Sequence, residues 1–297
     1  MDKNITLTGN LRTEWIKYEE YEIKLTKENE HYICPKEGSK FTIYDPFEKS
    51  NELLLDVIDL GDKAISGEIG EEDINNLVIE FAKKYGLLGV ITSSVYNRDI
   101  IGESKVLLTS TNILKSKDKI MDEDDYISMF IPFAKQEEVY LRKLGKHMTL
   151  FKAEDSPKFY GKRPLILDLV FSKYYCERVD WIVEFAKNIS THINQTLVYK
   201  NIKLTESVTI MAGKFKAENI GLSVAVLDSP YIEWDFDSLK VAIEVIYSFT
   251  VADSKNTLKR CENCKKVFIA KNDNEKYCSK VCRNRYNVNK SRNKAKS

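Results

Sequence analysis

Three observations predict an α+β fold for this 297-residue chain, with a mostly helical body, short strands and a β-hairpin. Apolar residues recur at helical spacing in several segments, they alternate at period two in one, and four of the six cysteines fall within 22 positions near the C-terminus. With 43% hydrophobic residues the chain can bury one large core or two moderate ones, so it needs no disulfide staples.

Residues 1 to about 47 read as irregular structure with short strands, such as 41–44, closed by the turn-forming pair Asp45-Pro46. Ser50 is a candidate N-cap, and Leu53, Leu54, Val57 and Ile58 follow at helical spacing up to Gly61. A second helix opens on Glu71, Glu72 and Asp73, carries the stripe Ile74, Leu77, Val78, Phe81, Ala82 and Tyr85, and ends at Gly86. The longest helical pattern runs from Leu165 to about Ile193, with Leu169, Val170, Tyr174, Val179, Trp181, Ile182, Phe185 and Ile189 facing a core. Period two then takes over at Ile220, Leu222, Val224 and Val226. Asp228-Ser229-Pro230 turns the chain into 231–234, which predicts a β-hairpin. Asp237 or Ser238 can cap a last body helix whose stripe of Val241, Val245, Ile246 and Phe249 continues toward Leu258. Trp15, Trp181 and Trp234 read as core or hairpin residues.

Residues 1–10 lack the apolar stretch of a secretory signal, and no run reaches the length of a membrane span. The chain is therefore expected to stay in the cytoplasm, where thiols remain reduced and clustered cysteines point to metal. Cys34 and Cys176 stand apart and read as inert structural thiols. The formal net charge of +1 hides a division. Residues 255–297 hold 14 Lys and Arg against 3 Asp and Glu, a net of +11, which leaves 32 basic and 42 acidic residues, or −10, for residues 1–254. This divides the chain into an acidic body, 1–254, and a basic C-terminal module, 255–297, that seeks anions.

Within that module Cys261, Cys264, Cys278 and Cys282 follow the pattern C-x2-C, thirteen residues, C-x3-C. A two-residue gap lets both sulfurs of the first pair converge while backbone amides point at them, and residues four apart share a helix face. Four soft ligands suit one tetrahedral zinc, and with no position left for water its role is structural. Some 40 residues bury too little to fold unaided, and structural zinc contributes on the order of 10 kcal/mol to such modules. Residues 267–269 read as one hairpin strand, 271–275 as its turn, Tyr277 as the return strand, and Ser279 as the start of a helix.

Cys261-Glu-Asn-Cys264, Phe268, Tyr277-Cys278-Ser279, Cys282-Arg283-Asn284-Arg285 and Arg292 together resemble the CGNR zinc finger. The match covers about 40 residues and is extended weakly by the helix from Asp237, with a general likeness over the first 230. The glycine of the family's pattern is Arg283 here. The resemblance implies a treble-clef-like finger with four cysteine ligands behind an α/β domain of the ABATE type, and a DNA-binding regulatory role.

A helix from Ser279 to about Arg292 would be about 21 Å long, enough to cross a major groove about 12 Å wide. Lys280, Arg283, Arg285, Lys290 and Arg292 can reach phosphates or guanine edges, and Asn284, Asn287 and Asn289 are of the type that pairs with adenine. Tyr286 can stack on a base or pack on Phe268, and Lys259, Arg260, Lys265 and Lys266 would widen the positive surface. Two plainer explanations compete. Four thiolates on one divalent ion leave a local charge of about −2 that nearby cations balance, and the end of the chain can be a solvated tail.

The expected protein is thus a regulator whose body meets an unknown ligand or protein partner and whose finger binds nucleic acid, DNA rather than RNA. The alternative is a non-enzymatic interaction module whose finger binds an acidic protein partner or the chain's own acidic body. No enzyme is expected: His31, His147 and His192 form no H-E-x-x-H pattern, and neither G-x-x-x-x-G-K-[ST] nor G-x-S-x-G occurs. The acidic run 122–125 reads as a solvated helix start ahead of Met129, Phe130 and Phe133.

Overall fold

The computed structural model describes residues 14–91, 93–95, 105–111, 116–122, 125, 128–129, 176–199, 217, 220–226, 230–236, 238–253, 257–272 and 274–294. The fold is α+β, built of helices and small antiparallel sheets with no barrel. The chain gathers into two compact units, one of residues 1–15, 44–81 and 182–297, the other of residues 16–43 and 82–181.

Near the N-terminus β1 (Trp15–Tyr18) and β4 (Phe41–Tyr44) pair as a two-stranded sheet. In the second unit, β2 (Tyr21–Leu25) and β3 (His31–Pro35) form a hairpin whose turn uses Asn29 at φ +59°. Thr26 Oγ1 accepts the N–H groups of Glu28 and Glu30 at 3.2 and 3.1 Å and so fixes that turn. A short β8 (Glu177–Arg178) joins the other side of β3, with Tyr32 opposite Arg178 and Ile33 opposite Glu177. A separate meander comprises β5 (Ser93–Val95), β6 (Lys105–Thr111) and β7 (Ser116–Asp122).

The expected helix beginning at Leu165 is corrected here. Residues 165–175 lie outside the described residues, and Glu177 and Arg178 are a strand, so the helix, α3 (Val179–Tyr199), begins only after them. Sheet pairing to β3 overrides the local helical spacing. It also brings Cys176, beside that strand, to Cys34 on β3, with the two sulfurs 3.4 Å apart; both remain thiols, fully buried, and burial pushes the Cys176 thiol well above its ordinary pKa.

The same strand carries a buried acid. Glu177 accepts the N–H groups of Leu88 and Val90 at 2.9 and 2.8 Å, and among the described residues no ion pair includes it. Burial pushes its carboxyl up to about 8, although the N–H groups of residues 88–90 pull the other way. The cations of this unit are, by contrast, well supplied. Lys119 lies 2.8 and 2.7 Å from Glu28 and Glu30, and Arg178 spans Glu30 and Asp180 at 2.9 and 2.8 Å. Lys27 donates to Asp122 at 3.1 Å, and its N–H to Asp125 at 3.3 Å. Asp122 and Asp125 thus have partners from the β2–β3 turn; Glu123, Asp124, Phe130 and Phe133 lie outside the described residues.

The first unit is mainly helical. Asp45 caps a 3-10 turn (Pro46–Lys49) by accepting the N–H of Phe47, and α1 (Ser50–Ser66) follows directly, so Ser50 is its first residue and not its cap. Nor does Gly61 end α1. The helix continues to Ser66 and stops at Gly67, whose φ of +67° supplies the left-handed cap. Gly61 is a contact point instead: a Cβ there would collide with the backbone carbonyl of Ala186 on α3. α2 (Glu71–Tyr85) has its three acids in the first turn and ends at Gly86, φ +85°.

The expected hairpin forms from β9 (Ile220–Val226) and β10 (Pro230–Phe236), with Pro230, assigned to the turn from sequence, already paired opposite Val226. Ser238 then caps α4 (Leu239–Ala252), its hydroxyl accepting the N–H of Val241 at 3.2 Å, while Asp237 lies outside the described residues. Phe236, Val241, Ala242 and Val245 form a core cluster with Phe47 and Trp234 packed on it. Two expectations fail at the end of α4. Phe249 is 50% exposed, and Leu258 belongs to a strand rather than to the helix, because Asp253 leaves the helical region and closes it with an N–H to Phe249 O bond of 2.9 Å. No helix among the described residues is long and apolar enough to cross a membrane.

Candidate metal centre

β11 (Thr257–Arg260) and β12 (Val267–Ala270) pair antiparallel, with Arg260 opposite Val267, and the first cysteine pair lies in the turn between them. The hairpin partner of 267–269 is therefore the strand preceding the cysteines, not Tyr277 as the sequence suggested. Cys261 N–H donates to Lys266 O and Lys265 N–H to Cys261 O, both at 2.9 Å, which curls the turn into a knuckle. Lys265 takes φ +63°, an uncommon conformation for a side-chain-bearing residue, to complete it.

The chain then passes a turn in which Lys271 N–H donates to Glu275 at 2.7 Å. Glu262 N–H donates to Lys276 O at 3.0 Å, and the Tyr277 hydroxyl to the Glu262 carboxylate at 3.2 Å, bringing the second pair back over the knuckle. Ser279 accepts the N–H of Cys282 at 3.2 Å and opens α5 (Lys280–Lys294). Cys261, Phe268 and Ala270 make a small core on which Tyr277 and Cys282 pack. Strand, knuckle, strand, turn and helix give the treble-clef-like outline.

The four sulfurs all lie within 4.8 Å of one another, with Cys264 to Cys278 at 3.7 Å and Cys278 to Cys282 at 3.5 Å. A zinc–sulfur bond of about 2.3 Å in a tetrahedron separates its sulfurs by about 3.8 Å, whereas a disulfide would need about 2 Å. The spacing thus fits four ligands around one metal ion, and the set of four thiols is the chemistry zinc takes. Burial opposes the thiolate at Cys261, yet the backbone N–H groups of Asn263, Cys264 and Cys278 outweigh it and bring that thiol down to about 6. Burial and the adjoining sulfurs push Cys278 up to about 12. A metal filling the cluster would displace the remaining protons.

Below the cluster the finger is tied to α1 and α3. The guanidinium of Arg260 forks onto Asp62, with bonds of 2.9 and 3.0 Å, and donates to Asn194 at 3.0 Å and to Lys265 O at 2.7 Å. Asp62 is itself held by the Ser190 hydroxyl. One turn back on α1, Asp59 meets Lys266 at 2.8 Å and Lys63 at 3.0 Å. Burial works against the Asp59 carboxylate, but these two lysines outweigh it and lower its pKa. Arg260 and Lys266 were expected to widen an outward positive surface; they are instead engaged by the body. Asp59, Asp62 and Asn194 were not singled out from sequence, and the only signal was two acids three apart on α1, one of which, Asp59, also pairs with Lys63 on its own helix.

Cys261, Cys264, Cys278 and Cys282 are brought together, and the other expected site residues lie along α5. Lys280, Arg283, Asn284, Arg285, Asn287, Lys290 and Arg292 are all exposed. No acidic residue occurs on α5, and among the described residues no ion pair includes five of its six cations, those at 280, 283, 285, 290 and 292. Tyr286 packs on Tyr277, ring centroids 5.3 Å apart, and not on Phe268. Fold and centre together define an α+β protein bearing a cluster of four cysteines close enough to bind a metal ion. No protein-family model, curated protein or solved structure matches the chain.

Proposed function

We propose that the protein is a nucleic-acid-binding regulator, with one structural zinc holding α5 outward as a docking helix for DNA. The observation that carries this reading is the contrast within the finger: Arg260 and Lys266 are engaged by α1, while the cations of α5 at 280, 283, 285, 290 and 292 are exposed and form no ion pair among the described residues. At 15 residues α5 is about 22 Å long, which suits a duplex groove. The resemblance to the CGNR finger supports the same reading.

Zinc would be held by Cys261, Cys264, Cys278 and Cys282, fixing where α5 leaves the finger, and it supplies no reaction. Duplex binding by the full chain, followed by fluorescence anisotropy, tests the proposal. If the five cations at 280, 283, 285, 290 and 292 meet phosphates, the slope of log K against log salt is roughly −4.5, a loss of roughly 500-fold between 50 and 200 mM. Affinity independent of salt, or none, would refute it. The competing reading, a module that clasps acidic protein, is favoured by the Arg260–Asp62 and Lys266–Asp59 pairs, which already join finger to body. It requires instead that removing residues 255–297 abolish a protein complex while nucleic acid is never bound.

A further inference from the structure

α5 sorts its side chains by chemistry around its axis. Cys282 and Tyr286, four residues apart, turn inward to the sulfur cluster and to Tyr277. At about 100° per residue, the line opposite them runs through Asn284, and Val281, Asn287, Val288 and Ser291 lie within about 60° of it. Lys280, in the first turn, is the one cation on this crest. The remaining described cations fall to its sides, Arg285 and Arg292 on one flank, Arg283 and Lys290 on the other.

The crest holds two large apolar side chains that stay exposed among the described residues: Val281 is 59% exposed and Val288 48%. β-branched residues are poor choices for a solvated helix face, where neither packing nor propensity favours them. Their separation of seven residues is about 10.5 Å along the axis, close to three base-pair steps of about 3.4 Å. In the major groove an apolar side chain finds one apolar group, the thymine C5-methyl, and an asparagine amide pairs with the adenine edge. Of the side chains that pair with guanine, Arg and Lys, the crest holds only Lys280, at its N-terminal end, and no arginine. Two flanks of cations match the two phosphate strands that border such a groove.

Building on the nucleic-acid reading above, we infer that α5 reads A·T base pairs in the major groove of duplex DNA. Val281 and Val288 lie against thymine methyls, Asn284 and Asn287 pair with adenine, and the flanking cations span the two backbones. Duplex RNA fails on both counts, since its deep, narrow major groove excludes a helix and uracil lacks the methyl.

The test uses the zinc-loaded full chain and duplexes of about 20 base pairs, two turns of B-DNA. One is A·T-rich, the second carries deoxyuridine for every thymidine, and the third is G·C-rich. Binding should be tightest to the first, and loss of the methyls should weaken it by about four-fold per covered methyl. Val281→Ala and Val288→Ala should each lose about that factor on the thymine duplex and little on the uracil duplex. Alanine favours the helix more than valine, so α5 survives both changes, and zinc content verifies the finger. Equal affinity of the native chain for thymine and uracil duplexes, or valine variants that weaken both alike, would overturn this inference. If all three duplexes bind equally with steep salt dependence, only the A·T reading falls; if none binds, the wider nucleic-acid proposal falls with it.

Discussion

The β2–β3–β8 sheet and α5 treat positive charge in opposite ways. Around the sheet the cations are met: Arg178 of β8 by Glu30 and Asp180, Lys27 of the β2–β3 turn by Asp122, and Lys119 of β7 by Glu28 and Glu30. On α5 the five cations from Lys280 to Arg292 stand along 13 residues without one acid among them. Self-repulsion disfavours such a helix on its own, so the cluster of four sulfurs and the Tyr277–Tyr286 contact must hold it in place. Paired charge around the sheet belongs to the fold; the charge on α5 forms no ion pair among the described residues, and that contrast is what the nucleic-acid proposal rests on.

The harshest way to break this contrast is to remove what holds α5. Cys264→Ser, or chelation of the native chain, should abolish the finger, a loss on the order of 10 kcal/mol for the module, with helical circular dichroism falling and metal analysis dropping from one zinc per chain. Unchanged helicity after metal removal would show that zinc is not architectural.

Next in size is the mirror image of α5, a buried acid that forms no ion pair among the described residues. The folded-state carboxyl of Glu177 titrates near 8, above its ordinary 4.5. Between those values the folded state keeps a proton that the unfolded state has released, so stability should fall as pH rises across that window, by up to about 1.4 kcal/mol per pH unit, and level off above it. Thermal melts from pH 5 to pH 8.5, with Glu177→Gln as the variant that removes the titration, measure this directly. A native profile no steeper than the variant's would show that Glu177 is ionised throughout.

Smaller effects sharpen the contrast inside the finger itself. Asp62→Ala strips the Arg260 fork of its carboxylate and should cost about 2 kcal/mol in urea unfolding, since the charged partner is left half-buried. Arg283→Ala and Arg285→Ala should leave unfolding within about 0.5 kcal/mol of native, as surface changes do, while each lowers the salt slope of DNA binding by about 1. If the α5 variants destabilise the fold as much as Asp62→Ala, those arginines have partners at home.

What could be read in the sequence follows contact range. The β9–β10 hairpin, the Ser238 cap of α4, the Gly86 stop of α2 and the metal quartet are each written within some twenty residues, and each formed where expected. Pairings across long stretches of chain left no such mark. Arg260 and Asp62 are 198 positions apart, and Cys34 and Cys176 are 142 apart. The strand at Glu177–Arg178 lies inside a segment of helical spacing because β3, far earlier, supplies its hydrogen bonds. In the finger the four ligands were legible from spacing, but the strand partner was not: Thr257–Arg260 carries a single buried apolar residue, Leu258, and so no alternating pattern.

The most direct measurement is the affinity of the full chain for duplex DNA before and after its zinc is stripped and then restored. Affinity that falls steeply with salt, disappears with the metal and returns on reloading is the expected result. Binding that survives metal removal undiminished, or never occurs with zinc bound, would contradict the idea that a sulfur-held ion presents α5 to nucleic acid.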